Sequence, residues 1–251
     1  MRPLKQFQAL LARLGILAYR KKCLSYGLEM PYDIERLFGQ PRTVLDVGAN
    51  VGQTARELSR AFPAARVYSF EPVPTTFEQL KRNTAGLSNV RCFLFGLGAA
   101  EEQATIRLAA SDARNSLLNQ SDAGEGPTAT ITIKKGDEWA AGEGVTSIDL
   151  LKTDTEGYDL EVLRGFGGML KEGRIRAILA ECEFDRVTPE PHTSFLELHR
   201  FLTPQGYRVV TFYTDHATPR GLAWGNVLFA YVAEGGEAKQ ENAPGGAVAT
   251  G

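Results

Sequence analysis

Residues 44–60 read VLDVGANVGQTARELSR, an apolar β-rich run that passes through a turn holding Gly48 and Gly52 into a helical stretch. No other feature constrains the fold so tightly. A buried strand that gives way to a helix within a few residues is the first half of a βα unit, and such units build parallel sheets covered by helices. Glycine in the turn permits positive φ and close approach of a ligand to the backbone. The helix that follows leaves unpaired N–H groups beside it. Glycine is also common in βα turns for steric reasons alone, so the turn by itself does not name a ligand.

The alternation continues from Pro41 onward. Strand-like runs fall at TVLDVG, RVYSFEP, VRCFLFGLG, SIDLLKTD, IRAILAECEF, YRVVTFYT and NVLFAYVA, with helical stretches between them such as Gln53 to Ala61, Thr75 to Thr84, Asp159 to Leu170 and Ser194 to Leu202. Near-continuous apolar segments such as IDLL and AILA predict strands buried on both faces. The expected architecture is therefore a Rossmann-like α/β fold, a seven-stranded, mostly parallel sheet with helices on both faces. After the third strand, ATIRLAA and TATITIKKG predict an inserted β-hairpin bracketing the polar stretch from Ser111 to Pro127, placed at the sheet edge as a lid. The expected organisation is an N-terminal helical extension over 1–40, one domain over 41–233, and a disordered tail over 234–251, which is rich in Gly, Ala and Glu without periodicity.

A chain of 251 residues, 43% of them hydrophobic, needs no disulfides to build its core. Cys23, Cys92 and Cys182 show no CxxC spacing, so they read as reduced and packed, with no zinc site. A net charge of −2 gives no basic field for a phosphate backbone, which argues against nucleic acid as a partner. The opening MRPLKQFQALLARLGILAYRKK has apolar residues at near-helical spacing, but Arg13 interrupts them. The segment is too short and charged to span a membrane and lacks a signal-peptide core. A packed helix is the simpler reading; a membrane-surface helix using Arg13, Arg20, Lys21 and Lys22 is the less favoured one. The default location is the cytoplasm.

Two acids frame the glycine turn. The second strand ends in SFEP, which sets Glu71 at the carboxyl edge of the sheet, where an acidic side chain accepts hydrogen bonds from ribose hydroxyls. The alternative for Glu71 is a solvated loop carboxylate. Asp46 lies at the end of the first strand, and the spacing from Gly48 to Gly52 is not GxGxxG. A pyrophosphate would be repelled by Asp46, whereas an amine or a sulfonium would suit it, so a nicotinamide dinucleotide is disfavoured. Asp46 capping the nearby helix is the plain alternative.

With these residues in view, the sequence resembles the class I S-adenosylmethionine-dependent methyltransferases and, within them, the FkbM family, from about Pro31 to Val232. The resemblance rests on DVGANVGQ at Asp46 to Gln53, FEP at Phe70 to Pro72, NSL at Asn115 to Leu117, IDLLKTDTEGYDLEVLRG at Ile148 to Gly165, and ECEFD at Glu181 to Asp185. It implies S-adenosylmethionine as cofactor and O-methylation of hydroxyls on sugars or secondary metabolites. It also implies that Asp46, Gly48, Ala49, Asn50 and Gly52 hold the methionine end of the cofactor, that Glu71 holds the ribose, and that the last strand is antiparallel. Thr153 and Thr155 flank Asp154 where the family usually has aliphatic residues, which makes that neighbourhood more polar. Two rival readings are a nicotinamide-dependent oxidoreductase and a non-catalytic module that keeps the cofactor pocket.

Methyl transfer is an in-line displacement that must align the acceptor oxygen and take its proton. LLKTDTEGYD brings Lys152, Asp154 and Glu156 to the carboxyl edge of the sheet, where open α/β folds bind ligands. Alignment supplies about 7–11 kcal/mol and a general base about 10²–10⁴-fold in rate, so a carboxylate suffices. Asp154 is the first candidate for base, followed by Glu156 and Glu183. Helix capping, or a salt bridge to Lys152, is the structural alternative for these acids. His192, in a loop, is a further candidate base. His199 and His216 form no metal-binding pair, and oxygen ligation by Asp154, Glu156 and Glu183 is not specific enough to predict a metal. The acceptor is expected to be a small hydroxylated molecule, sugar-containing, in a pocket shaped by residues 111–127, 183–194 and 214–226, with Trp224 available to stack on a ring.

Overall fold

The computed structural model describes residues 21–107, 128–184, 192–219 and 221–233, with scattered positions between 6 and 18. The NSL motif with the whole stretch 108–127 between the hairpin strands, Asp185 and the 234–251 tail lie outside the described residues. The described strands are β1 (Thr43–Val47), β2 (Arg66–Phe70), β3 (Val90–Phe93), β4 (Gly96–Gly98), β5 (Glu102–Arg107), β6 (Thr128–Lys135), β7 (Ile148–Thr153), β8 (Ile175–Glu183), β9 (Tyr207–Thr218) and β10 (Gly221–Tyr231). The helices are α1 (Met30–Phe38), α2 (Gln53–Ala61), α3 (Pro74–Thr84), α4 (Gly136–Gly142), α5 (Asp159–Gly165), α6 (Gly167–Lys171) and α7 (Phe195–Leu202).

Seven strands form one sheet in the order β3-β2-β1-β7-β8-β10-β9. β10 runs antiparallel to both β8 and β9, and the remaining pairs are parallel. The seven-stranded, mostly parallel sheet with an antiparallel last strand is thus what the sequence folds into. Side chains alternate across the sheet with period two. Val44, Leu150, Ala177 and Leu228 point to one face, which Ile34 of α1 and Leu58 of α2 cover. Leu45, Leu151, Ile178 and Phe229 point to the other, against Trp139, Val162, Phe166 and Leu198. Both faces being buried explains the unbroken apolar runs.

Helix boundaries follow local chemistry. Ser194 caps α7 in a reciprocal box with Glu197, and Pro74 opens α3 at a position where its missing N–H costs nothing. Met30–Phe38, from the stretch read as an N-terminal extension, packs on the sheet with Ile34 fully buried. No described helix is long and apolar enough to cross a membrane. Of the three free thiols, Cys182 is buried, Cys92 half-buried and Cys23 exposed, so the expected packing holds for two of them.

Three details differ from the sequence reading. The run VRCFLFGLG splits into β3 and β4, and β4 leaves the main sheet to pair with β6. The helix expected from Asp159 to Leu170 breaks at Phe166, which leaves helical geometry between Gly165 and Gly167, and Gly165 packs against the carbonyl of Gly98, where no side chain fits. The inserted hairpin forms as β5 and β6, but it belongs to a separate three-stranded sheet, β4-β6-β5, whose inner face buries Ile106, Ile131 and Ile133 against Val73.

Candidate active site

The α1 and α2 face of the sheet changes character along its strands. Val44 and Leu150 lie in the core, while Asp46 and Lys152, two residues further on, share the same face and stand opposite each other. Ser69 of β2 flanks Asp46 on its other side. Paired residues of β7 and β8 end at Thr153 and Ala180, so Asp154 and Glu181 are the next positions of the two strands. β1 is the strand from which chain connections depart in both directions, and the crevice beyond such a point is where open α/β sheets bind ligands.

A cavity of about 370 Å³ opens there, within the range of small-molecule sites. Its polar side is built by Gly48, Ala49 and Asn50, by Glu71, and by Lys152, Asp154, Glu156 and Glu181. Its apolar side is Val73 and Leu97 with the hairpin residues Ile106, Ile131 and Ile133. The insertion therefore walls the cavity.

The glycine turn is held from three directions. Gly48 and Ala49 donate their N–H groups to the Phe70 carbonyl at 3.1 and 2.9 Å, and Asp154 donates its own to the Val47 carbonyl at 3.0 Å. Glu71, only 6% exposed, accepts from Asn50 N–H at 3.0 Å and from Val73 N–H at 2.9 Å. It is no solvated loop carboxylate: it clamps the turn to β2. Gly48 has φ +81, and a Cβ there would collide with the Asp154 carbonyl oxygen. Gly52, the N-cap of α2, has its Cβ direction filled by Leu80 and lies outside the cavity lining.

Asp46 is fully buried beneath the cavity and does not line it. It caps no helix; its Oδ1 lies 3.5 Å from Lys152 Nζ, which in turn lies 3.0 Å from Asp154 Oδ2. Burial pushes the Asp46 carboxyl above its ordinary range, and Lys152 offsets that only in part. Burial also works against the Lys152 charge, but Asp154 and Asp46 outweigh it and hold the ammonium protonated. For Asp154 burial acts upward, yet the charge and hydrogen bond of Lys152 win and keep it below the ordinary carboxylate range. Glu181 is pushed up to about 9, first by burial and then by the charges of Asp154, Asp159 and Glu156, which favours its protonated form beside Asp154. Asp159, buried at the start of α5 beneath this group, rises to about 6 through burial and the charge of Asp154.

Among the described residues, two non-glycine positions have positive φ, Asn50 at 49° and Glu156 at 50°, and both line the cavity. Backbone strain of this kind gathers at functional sites. The structure thus brings Gly48, Ala49, Asn50, Glu71, Asp154 and Glu156 together around one cavity. Glu183 shares a face with Glu181 but lies one pleat outward, opposite Trp224, whose ring stacks on His216 at 4.1 Å. His192 is half-buried and, like Glu183, outside the cavity lining. No acid, histidine or cysteine group among the described residues is arranged to hold a metal. Among the charged cavity residues, Glu181 had no individual role in the sequence reading and Lys152 only that of a salt-bridge partner. The signal for Glu181 was the alternation in ECE, which presents two acids to one face.

Residues 46–209 match the family model described as "Methyltransferase FkbM domain". The chain belongs to the FkbM methyltransferase family. This is an S-adenosylmethionine-dependent family, which decides between that cofactor and a nicotinamide. Curated relatives include methyltransferase sdnD of Sordaria araneosa, 28% identical over 53% of this chain and 63% of its own length. They also include 2-O-methyltransferase NoeI of Sinorhizobium fredii, 25% identical over 55% of this chain and 63% of its own length. Hexuronic acid methyltransferase AglP of Haloferax volcanii is 32% identical over 50% of each chain. The chain spans less than two thirds of the length of each of these relatives. Solved methyltransferases overlay loosely, magnesium protoporphyrin IX methyltransferase from Synechocystis at a TM-score of 0.49 and 10% identity over 81% of this chain and 76% of that one, so membership of the FkbM family rests on the sequence match.

Proposed function

We propose that this chain transfers a methyl group from S-adenosylmethionine to a hydroxyl of a small molecule of the sugar, glycoconjugate or secondary-metabolite class. The observation that carries the reading is Asp154: an ionised carboxylate, tied to Lys152 at 3.0 Å, standing in the wall of a cavity next to the glycine turn.

The cavity suits the cofactor. Gly48, Ala49 and Asn50, with the N-terminus of α2, face the place for its methionine end. Each carboxylate oxygen has two lone pairs, so Glu71 can accept from ribose hydroxyls while holding the turn. Val73, Leu97, Ile106, Ile131 and Ile133 offer an apolar wall for a purine ring. Once bound, S-adenosylmethionine supplies an electrophilic methyl group on a sulfonium. With that methyl donor in place, Asp154 would accept the proton of the acceptor hydroxyl as its oxygen is methylated and S-adenosylhomocysteine is left behind. The oxygen becomes strongly acidic as it gains the methyl, so a weak base placed correctly is enough, and alignment contributes more than basicity.

The class of acceptor is supported by similarity to relatives named as a 2-O-methyltransferase and a hexuronic acid methyltransferase. Trp224, stacked on His216 at the same sheet edge, adds an aromatic platform suited to a sugar ring. The test is incubation with methyl-labelled S-adenosylmethionine and a panel of monosaccharides, uronic acids and glycosides. Label appearing as an ether, with equal S-adenosylhomocysteine, is the expected result. Label appearing on nitrogen or as a methyl ester would overturn O-methylation, and cofactor binding with no transfer across the panel would favour the non-catalytic module.

A further inference from the structure

We propose that the Asp154–Glu181 pair couples cofactor binding to proton release, so that the chain tells S-adenosylmethionine from S-adenosylhomocysteine by the positive charge on sulfur. The inference rests on the cofactor occupying the cavity and is independent of the acceptor.

The argument begins with a count of charges. Asp46 faces the site from β1, Asp154 and Glu156 from the end of β7, Asp159 from α5 and Glu181 from β8; Lys152 is the ammonium among them. Glu71, at the end of β2, adds a sixth carboxyl but is turned toward Asn50 and Val73. β10 contributes Asn226 opposite Glu181, which carries no charge, and the Tyr158 hydroxyl near α5 stays protonated, held up to about 12 by burial and Glu102. Lys152 is engaged by Asp46 at 3.5 Å and by Asp154 at 3.0 Å. Carboxyls packed this closely do not all ionise. Asp154 and Glu181 follow the last paired residues of β7 and β8 and line the same cavity, so one proton held between these two acids serves as the counter-charge before the cofactor binds.

A sulfonium beside Asp154 does the same work as that proton. A cation about 5 Å from a carboxyl lowers its proton affinity roughly 100-fold at the effective dielectric of a protein site. Entry of S-adenosylmethionine therefore drives the shared proton off. S-adenosylhomocysteine has the same amine, carboxylate, ribose and purine but a neutral sulfur, and leaves the proton in place. Linkage then makes S-adenosylmethionine bind more tightly as pH rises while the product gains less, which favours exchange of product for fresh cofactor.

Calorimetric titration of the unmodified chain with each compound, at about pH 8 in two buffers of different ionisation enthalpy, counts the protons directly. S-adenosylmethionine should release most of one proton and S-adenosylhomocysteine less than half as much. Between about pH 7 and pH 8.5 the affinity for S-adenosylmethionine should rise roughly tenfold relative to the product. Glu181→Gln should bring the two proton counts together. Equal counts in the unmodified chain would overturn the coupling, and unequal counts that survive Glu181→Gln would overturn its assignment to this pair. Failure of both compounds to bind folded protein would overturn the reading of the cavity and the coupling with it.

Discussion

Gly48 lies so close to the carbonyl oxygen of Asp154 that no side chain fits between them. The two residues belong to different motifs, one in the turn after β1 and one at the end of β7, and their backbones are joined again where Asp154 N–H donates to Val47. The turn proposed to face the cofactor and the proposed base thus form one rigid unit. Glycine at 48 is demanded by this packing as well as by its φ of +81.

Gly48→Ala should therefore damage stability and site together. A left-handed alanine and an overpacked contact each cost about 1–3 kcal/mol. Urea unfolding should show a loss of about 2–5 kcal/mol, and affinity for S-adenosylhomocysteine should fall at least tenfold. Ala at 48 with wild-type stability would mean that the β1 and β7 loops separate easily.

Lys152→Met tests the buried ion pair. Asp46 is fully buried and Lys152 nearly so, and removing one partner of such a pair typically costs about 3–5 kcal/mol. Asp154, whose ionised form Lys152 favours, stabilises the fold above the ordinary carboxylate pKa, and that contribution disappears as pH falls through its lowered value. The stability difference between variant and wild type should accordingly be largest near neutral pH and shrink only as pH falls below the ordinary carboxylate range, through the lowered value of Asp154. A difference independent of pH would assign the loss to packing alone.

Glu181 gives the opposite dependence. Its folded carboxyl is raised to about 9, so between the ordinary glutamate value and 9 the folded state holds a proton that the unfolded chain has lost. Stability then falls as pH rises across that window. Gln at 181 keeps an N–H donor for Asp154 and has no proton to lose. Glu181→Gln should thus be close to wild type near pH 5 and more stable by at least about 1 kcal/mol near pH 8. Parallel stability curves would show that Glu181 ionises normally.

The seven main strands were legible because strands buried on both faces stay apolar throughout, and the turn, FEP and KTDTEG motifs were legible through their fixed place after a strand. The two breaks were not. A glycine inside an apolar or helical run says nothing of whether the chain continues; VRCFLFGLG breaks at Leu94 and Phe95 and RGFGG at Phe166, and Gly98 and Gly165, one from each segment, meet from distant parts of the sequence. Choosing between Glu181 and Glu183 needed the same kind of information. Both acids of ECE face one side of the sheet, and only the pairing of Thr153 with Ala180 puts Glu181, not Glu183, next to Asp154.

Glu71 separates two roles by substitution. Its carboxylate holds Asn50 and Val73 and, in the proposed complex, the ribose. Hydrogen bonds to a charged acceptor are worth about 1.5–3 kcal/mol. Glu71→Ala should weaken S-adenosylhomocysteine binding by roughly 10-fold to 100-fold and lower the unfolding midpoint, because Asn50 N–H loses its partner. Glu71→Gln, which retains one acceptor oxygen, should recover stability more fully than affinity. Unchanged affinity in both variants would remove Glu71 from the ribose site.

Asp154→Asn asks whether the carboxylate takes part in the reaction or only pairs with Lys152. Asparagine keeps the size and an oxygen for Lys152 but accepts no proton at neutral pH. If Asp154 is the base, turnover should fall by about 10²–10⁴-fold while S-adenosylhomocysteine affinity changes by only a few fold. The contrast with Lys152→Met is informative. That variant keeps the carboxylate but removes the charge that favours its ionised form, so its activity should recover as pH is raised, whereas Asp154→Asn should stay slow at every pH. Normal turnover in Asp154→Asn would sink the assignment and pass the proton to Glu156 or to water.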